Sequence, residues 1–358
     1  MHVLRFTRLA AALVVALSAM AARAVTIDWV TVGDPGNAGQ TQNYSGTPMT
    51  FGAVADSFQI MKYEWTNSQY VDFLNSVAAT DTYSLYDLQM GTQARGGITQ
   101  SGASGSYTYA VKTNMGNKPV NFVTWFDAAR VANWLQNGQL SGTAGAASTE
   151  TGAYTLVGGQ TSGTAPAKNL GAQFYIPTEN EWYKAAYYKG SGTNAGYWQY
   201  ATQVTGTAPI AVGATGVGTG TSGGVSPVIT GNFANNNNAA DWNSLDGNVT
   251  TVGTNGGPSA YGAFDMNGNV FEWNDLTGAA GSSRGLRGGA FDFPASFQSS
   301  SDRLEQVTST VNQSVGFRLA SPLSGPSGVP EIDPAGLGSV AALVTGVLAL
   351  LERRRYGR

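Results

Sequence analysis

The sequence predicts a single α+β domain, irregular and loop-rich, with few short helices. Three observations predict it. Glycine accounts for 48 of 358 residues while charged residues make up only 11%, a balance that suits a turn-rich globular chain and not a helical bundle. Helical periodicity with a recognisable cap occurs after Thr66, Thr124 and Thr178. The other apolar runs are of strand length and are bounded by Gly, Pro, Asn and Asp. No fixed-period repeat is present, which disfavours a solenoid or a propeller.

Taken in order, the chain opens with Arg5 and Arg8, an apolar run from Leu9 to Ala22 and the finish Ala22-Arg23-Ala24. Basic start, apolar middle and small-x-small end describe a secretory signal peptide over 1–24. Its removal takes away His2, the single histidine, and there is no cysteine. The mature chain is therefore expected to hold neither imidazole nor thiol. Thr26 to Val32 and Phe58 to Tyr63 read as strands. Thr66 with Gln69 forms a capping-box pattern, followed by Tyr70, Phe73, Leu74 and Val77 at helical spacing. Thr124 with Asp127 precedes Ala128, Val131, Ala132 and Leu135 on one face. Thr178 with Glu181 precedes Trp182, Ala185 and Ala186, which gives Glu181 a structural role. The Gly/Ser/Thr-rich stretches 141–167 and 190–232 read as long loops or surface insertions.

Asp265-Met266-Asn267-Gly268-Asn269-Val270-Phe271-Glu272-Trp273 combines a tight turn with a short strand. Asn267-Gly268 tolerates positive φ, and the strand sets Val270 and Glu272 on one face, Phe271 and Trp273 on the other. A carboxylate beside turn carbonyls suits a hard cation such as calcium; an acid that is merely solvated or hydrogen-bonded fits the same pattern. The run Asn235 to Asn238 marks another loop. Gly288-Gly289, after Arg284 and Arg287, predicts a bulge or a close backbone approach within a strand. Arg287 and Arg318 read as partly buried structural ion-pair formers, with a role as binding groups the alternative.

The stretch 265–273 resembles the D-M-x-G-N-V-W-E-W signature of the formylglycine-generating enzyme, or sulfatase-modifying-factor, family. Four further segments agree in order. They are Tyr63-Glu64-Trp65-Thr66-Asn67 with Tyr70 and Phe73; Pro119 to Trp125 with Asp127-Ala128-Ala129; Ile176-Pro177-Thr178-Glu179 with Glu181-Trp182; and Arg284 to Gly289 with Gly316-Phe317-Arg318. The resemblance implies a C-type-lectin-like fold over 25–322. It also implies two structural calcium sites, one at Asn235, Asn236, Asp246 and Asn248, the other at Asp265, Gly268, Val270 and Glu272.

Catalytic members of the family hold copper with two cysteines between the Arg-Gly-Gly strand and the final Gly-Phe-Arg. Here that interval, Ala290 to Val315, holds serines and no cysteine, and a hydroxyl does not replace a thiolate toward Cu(I). A sister branch uses iron held by histidines, which the mature chain also lacks. Copper, iron and zinc chemistry of these kinds is not expected. Ser299 to Ser301 has no histidine for a Ser-His-Asp triad, and Asp292, Asp302 and Glu305 are the acids that paired-carboxylate catalysis would need.

Val329-Pro330-Glu331-Ile332-Asp333-Pro334 lies in a linker over 323–334. An uncharged apolar run over 335–351 and a basic tail over 352–358 follow. A helix over 335–351 would be about 25 Å long, the short end of what spans a bilayer, with Arg353 to Arg355 held cytoplasmic. This resembles the PEP-CTERM class of sorting signals, which implies a transient inner-membrane anchor, a sorting protease and delivery to the cell surface or extracellular matrix. Net charge is −3 with no basic run in the body, so nucleic acid is not an expected partner. The sequence thus predicts an exported, calcium-stabilised binding module with a glycan or surface-protein ligand at Phe291 to Asn312, without oxidase activity. The alternatives are an enzyme of the family with altered chemistry and a structural matrix protein.

Overall fold

The computed structural model describes residues 24–323 apart from Ser45 and Ala146. The expected leader up to Arg23 and everything after Leu323, including the sorting motif and the expected span at 335–351, lie outside these residues. Among the described residues no helix is long and apolar enough to cross a membrane.

The chain runs β1 (Trp29–Val32), the hairpin β2 (Gln40–Tyr44) and β3 (Thr47–Phe51), β4 (Phe58–Met61), α1 (Asn67–Val77), α2 (Leu88–Thr92), the hairpin β5 (Ile98–Ser101) and β6 (Thr108–Val111), α3 (Trp125–Gln136) and α4 (Glu179–Tyr187). Four two-residue strands follow: β7 (Ile210–Ala211), β8 (Gly213–Ala214), β9 (Gly220–Thr221) and β10 (Phe233–Ala234). Then come β11 (Phe271–Asn274), β12 (Ser283–Arg287), β13 (Leu304–Val307), β14 (Val315–Gly316) and β15 (Ala320–Pro322). Short strands, few helices and long connections make this the loop-rich, C-type-lectin-like α+β fold that the sequence predicts.

Two sheets organise it. The three-stranded sheet β1-β4-β15 pairs Trp29 with Met61 and Ile60 with Ala320, tying the beginning of the domain to its end. The four-stranded sheet has the order β13-β12-β11-β14, with Glu272 opposite Arg287 on one side and opposite Gly316 on the other. Both N-terminal strands are shorter than the runs 26–32 and 58–63 predict, although Lys62 N still bonds Asp28 O (2.8 Å) beyond the strand ends.

Helices α1, α3 and α4 each start with a reciprocal capping box, at Thr66/Gln69, Thr124/Asp127 and Thr178/Glu181. Each such cap contributes about 1 kcal/mol by satisfying amides that have no partner in the first turn. On α1 the buried positions include Tyr70, Phe73, Leu74 and Val77, as the spacing predicts. Helix α3 departs from its one-faced pattern, because every residue from Trp125 to Leu135 is buried. The cause is a segment read from composition as a surface insertion. Arg130 forks onto Glu150 (Nε–Oε1 2.7 Å, Nη2–Oε2 2.9 Å), Asn133 Nδ2 donates to Thr149 O (2.6 Å), and Tyr154 is fully buried. Polar composition hid a segment that covers a helix. The stretch 190–232 likewise carries β7 to β9, and Lys118 Nζ anchors it by donating to Val217 O (2.7 Å).

Gly288 and Gly289 differ from the expected bulge inside a strand: β12 ends at Arg287, and both glycines follow it with φ of +98° and +74°. The close approach is present. A Cβ on Gly289 would lie 2.7 Å from Gln298 Cγ, nearer than van der Waals contact permits.

Candidate functional site

The turn into β11 requires positive φ at Asp265, Gly268 and Asn269 (+56°, +81° and +63°), a conformation that glycine, Asn and Asp tolerate best. It delivers Glu272 to the middle of the four-stranded sheet. All four residues of β11 are buried, so the strand has no solvent face. Arg318 grips Glu272 with a two-pronged fork, Nε to Oε2 and Nη2 to Oε1, both at 2.6 Å, and Trp182 Nε1 donates to Oε2 at 2.7 Å. Such bidentate, charge-assisted pairs are the strong class of hydrogen bond. Asp265 is also engaged: Oδ2 accepts from Gly253 N (2.5 Å) and Oδ1 from Asn255 Nδ2 (2.8 Å).

A third carboxyl belongs to this region. Glu64, fully buried ahead of α1, accepts from Asn269 Nδ2 (2.7 Å) and Val270 N (3.1 Å). Burial, reinforced by the charges of Asp265 and Glu272, raises the Glu64 carboxyl well above the ordinary range; burial also raises Asp265. Three buried carboxyl groups thus face one buried guanidinium. Among the described residues no three acidic or imidazole groups converge as metal ligands, so a cation here would rest largely on amide and backbone oxygens. Glu64 stands far in sequence from the turns it joins here. Its signal was an acid between Tyr63 and Trp65, ahead of a helix cap.

The Asn run is buried at its first two positions. Asn235 Nδ2 donates to Asn248 O (2.8 Å), Thr250 Oγ1 (3.0 Å) and Asn269 Oδ1 (3.2 Å). Asn235 Oδ1, both polar atoms of the Asn236 side chain and Asn248 Nδ2 are buried without a hydrogen-bond partner. Unpartnered buried amides are uncommon and cost about 1–3 kcal/mol each, and buried amide oxygens with no donor suit a hard cation. The structure brings the two expected ligand sets together: Asn235 and Gly268 form a parallel bridge, and Asn269 N donates to Asn235 O (3.0 Å). Thr250, whose N donates to Asn269 Oδ1 (2.9 Å) and whose Oγ1 donates to Asn255 Oδ1 (2.6 Å), extends the network toward Asp265. Asp246 stands apart, exposed, with its carbonyl taken by Arg95 Nη2 (2.7 Å).

Next to these turns lies the segment that runs from β12 through β13 to β14. It encloses an open pocket of about 130 Å³ floored by Phe271, Leu286, Phe293 and Leu304, with Gln306 and Asn312 at its rim. Phe293 packs edge-on against Phe271 (4.9 Å) and Phe297 (5.1 Å). The three acids considered for paired-carboxylate chemistry have separate partners. Asp292 accepts from Ser314 Oγ (2.7 Å), and Glu305 pairs with Arg303 (2.6 Å). Burial raises the Asp302 carboxyl to about 6 against the opposing charge of Arg287. Arg287 also meets Glu179 (2.7 Å), which Arg303 shares (2.8 Å), and Arg318 holds Glu272 (2.6 Å), so Arg287 and Arg318 are both ion-pair formers.

A loop-rich α+β domain whose buried carboxylates, turns and short central sheet follow the order of the five sequence motifs defines a module of the formylglycine-generating-enzyme type. The chain belongs to the family described as the sulfatase-modifying factor enzyme 1-like domain, which it matches over residues 18–323. Among solved structures it is similar to Treponema denticola variable protein 1, at 18% identity and a TM-score of 0.42, over 82% of this chain and 94% of that one. It is similar to CarF at 20% identity and a TM-score of 0.42, over 84% and 99%. A third is PvdO from Pseudomonas aeruginosa, at 19% and 0.38, over 83% and 92%. No protein of curated function matches the chain.

Proposed function

We propose that the chain is a non-catalytic, exported binding module of this family, stabilised by calcium, whose region Phe291 to Asn312 takes a partner at the cell surface. The observation that carries this reading is the pocket beside that region. Its floor is aromatic and aliphatic, and no carboxylate, imidazole or thiol lines it. Such a lining offers no general base or thiolate ligand, whereas an apolar recess with a polar rim suits recognition. The apolar floor favours a protein side chain over a free sugar as its occupant. Export and sorting are supported by the leader and Pro-Glu patterns at the two ends of the sequence.

Calcium is supported by the first turn, where Asn235 and Asn236 present buried oxygens without donors, beside the Asn248 carbonyl. Asp246 would add charge from the surface. In the second set Gly268 and Val270 would offer carbonyls, Asp265 would share its oxygens with Gly253 and Asn255, and Glu272 would share its own with Arg318 and Trp182. A bound ion would supply positive charge where buried carboxyl groups outnumber guanidinium.

The test is capture of surface proteins and of a glycan array by the purified chain, compared with Leu304→Asp in the pocket and with Leu170→Asp at a fully exposed position. A specific partner should be captured by the wild type and by Leu170→Asp, and lost with Leu304→Asp. Capture indifferent to Leu304→Asp would place recognition elsewhere. Multiple turnover of a thiol peptide above a metal-only control would replace the binding reading with catalysis.

A further inference from the structure

The loop that opens the proposed binding surface is fastened to both expected cation turns. Phe291 N donates to Asn269 O (2.9 Å), Asn238 N to Phe291 O (2.8 Å) and Asn237 N to Phe293 O (3.0 Å). The short 3-10 turn Ala295–Gln298 ends this segment. Two donors hold its last carbonyl: Asn267 Nδ2 (2.9 Å) and Tyr187 OH (3.0 Å) both donate to Gln298 O.

The side chain of Gln298 has no such partners. It is fully buried, and neither its Oε1 nor its Nε2 makes a hydrogen bond. Its position is nevertheless tightly defined. A Cβ on Gly268 would lie 3.0 Å from Gln298 Nε2 and 2.2 Å from Asn235 O. The carboxamide therefore abuts the Asn235–Gly268 bridge, where the two expected ligand sets meet. Asn235 in the bridge and Gln298 against it both carry unpartnered buried amide atoms, and so does Asn236, the next residue in the chain. A single unpartnered amide is a tolerable loss; one in the bridge, one against it and one next in the chain, at about 1–3 kcal/mol each, call for a bound species. A carboxamide presents its oxygen or its nitrogen to a given neighbour by a half-turn about the last side-chain bond, so each of the three has an oxygen to offer.

We propose that Gln298 belongs to the cation site at the Asn235–Gly268 bridge, and that ion occupancy, through Gln298, fixes the loop 291–298 and so controls the binding surface. The inference rests on the calcium reading above and extends it. It assigns a ligand-side residue from the binding loop itself and makes partner capture calcium-dependent. A glutamine here is neutral, so the site takes its negative charge from elsewhere, and the ion, not a salt bridge, does the fastening.

The experiment is calcium titration calorimetry on the purified, chelator-stripped full chain, with Gln298→Glu and Gln298→Leu, paired with hydrogen exchange of residues 291–298 with and without calcium. Ligand charge sets calcium affinity. Gln298→Glu should therefore tighten Kd by about tenfold or more, Gln298→Leu should weaken it by a similar factor, and calcium should slow exchange across 291–298 in the wild type. If both variants bind calcium with the wild-type Kd, Gln298 lies outside the site; this inference is overturned while the calcium reading stands. If the wild type binds no calcium, both fall, and the orphaned amides hold ordered water. Should a variant fail to fold, the wild-type exchange decides, and calcium binding without protection of 291–298 overturns the coupling.

Discussion

Removing Arg318 should be among the most damaging single changes in this protein. Its guanidinium is fully buried, and three of its contacts are not shared by any other cation: the fork on Glu272, Met61 O (3.0 Å) and Phe264 O (2.8 Å). Breaking a buried pair by deleting one partner costs about 3–5 kcal/mol, because the other charge is left in a low-dielectric interior. Here the abandoned Glu272 also faces Glu64 and Asp265, whose electrostatic influence on the same region runs the same way. Arg318→Met, which keeps most of the volume, should therefore lose about 4 kcal/mol in urea-induced unfolding at pH 7. That is a large part of the total stability of a typical domain. Adding Glu272→Gln removes the stranded charge while keeping an acceptor for Trp182 Nε1. The double variant should recover about 1–3 kcal/mol. A loss below about 1 kcal/mol for Arg318→Met, or a double variant less stable than the single, would refute the argument that this pair is held by charge in a dry interior.

Three further expectations follow from the same chemistry. Burial raises Asp127 to about 7 and Asp275 to about 6, above the ordinary 3.8, so the folded chain keeps protons that the unfolded chain releases; this stability is full below about pH 4 and is lost as pH rises through 6 to 7. The urea midpoint should accordingly be higher at pH 5 than at pH 7.5, with a shallower slope in Asp275→Asn; a midpoint flat across that window contradicts the shifts. With no cysteine in the chain, copper and a sulfatase-motif peptide should leave the peptide cysteine unchanged in mass, and oxidation above a copper-only control would show family chemistry by another route. Native protein should begin near Val25 and lack the segment after about Pro334 by intact-mass measurement, a result that a full-length species retaining both ends contradicts.

What was legible in the sequence follows the range of the forces involved. The three capping boxes are read within four residues of chain, because donor and acceptor are neighbours in sequence and the geometry is fixed by the helix itself. The turn and strand at 265–273 were legible for the same reason. The covering of α3 was not, since it depends on Arg130 reaching Glu150 through a segment whose composition reads as loop. Composition reports average polarity. It does not report which polar groups are paired, and paired polar groups bury readily.

The site shows this limit most sharply at Glu272. From the chain alone, an acid following a turn with free carbonyls reads as a cation ligand. The fold brings Arg318 from 46 residues away and Trp182 from 90, and these supply the donors that a solvated or metal-bound carboxylate would otherwise need. Glu64, from 206 residues before Val270, then adds a charge that local reading assigned to no site. One guanidinium against three buried carboxyl groups cannot be neutral with all three ionised. The imbalance must be met by protons, which the raised Glu64 and Asp265 carboxyls accept, or by a cation at the neighbouring Asn235–Gly268 bridge. The two solutions differ in an observable way: calcium binding that displaces protons from Glu64 and Asp265 releases them into the buffer, so the calorimetric enthalpy of calcium binding should change with the ionisation enthalpy of the buffer. A calcium enthalpy independent of buffer would mean that the Glu64 and Asp265 carboxyls keep their protons, and Glu272 its guanidinium, whatever the bridge holds.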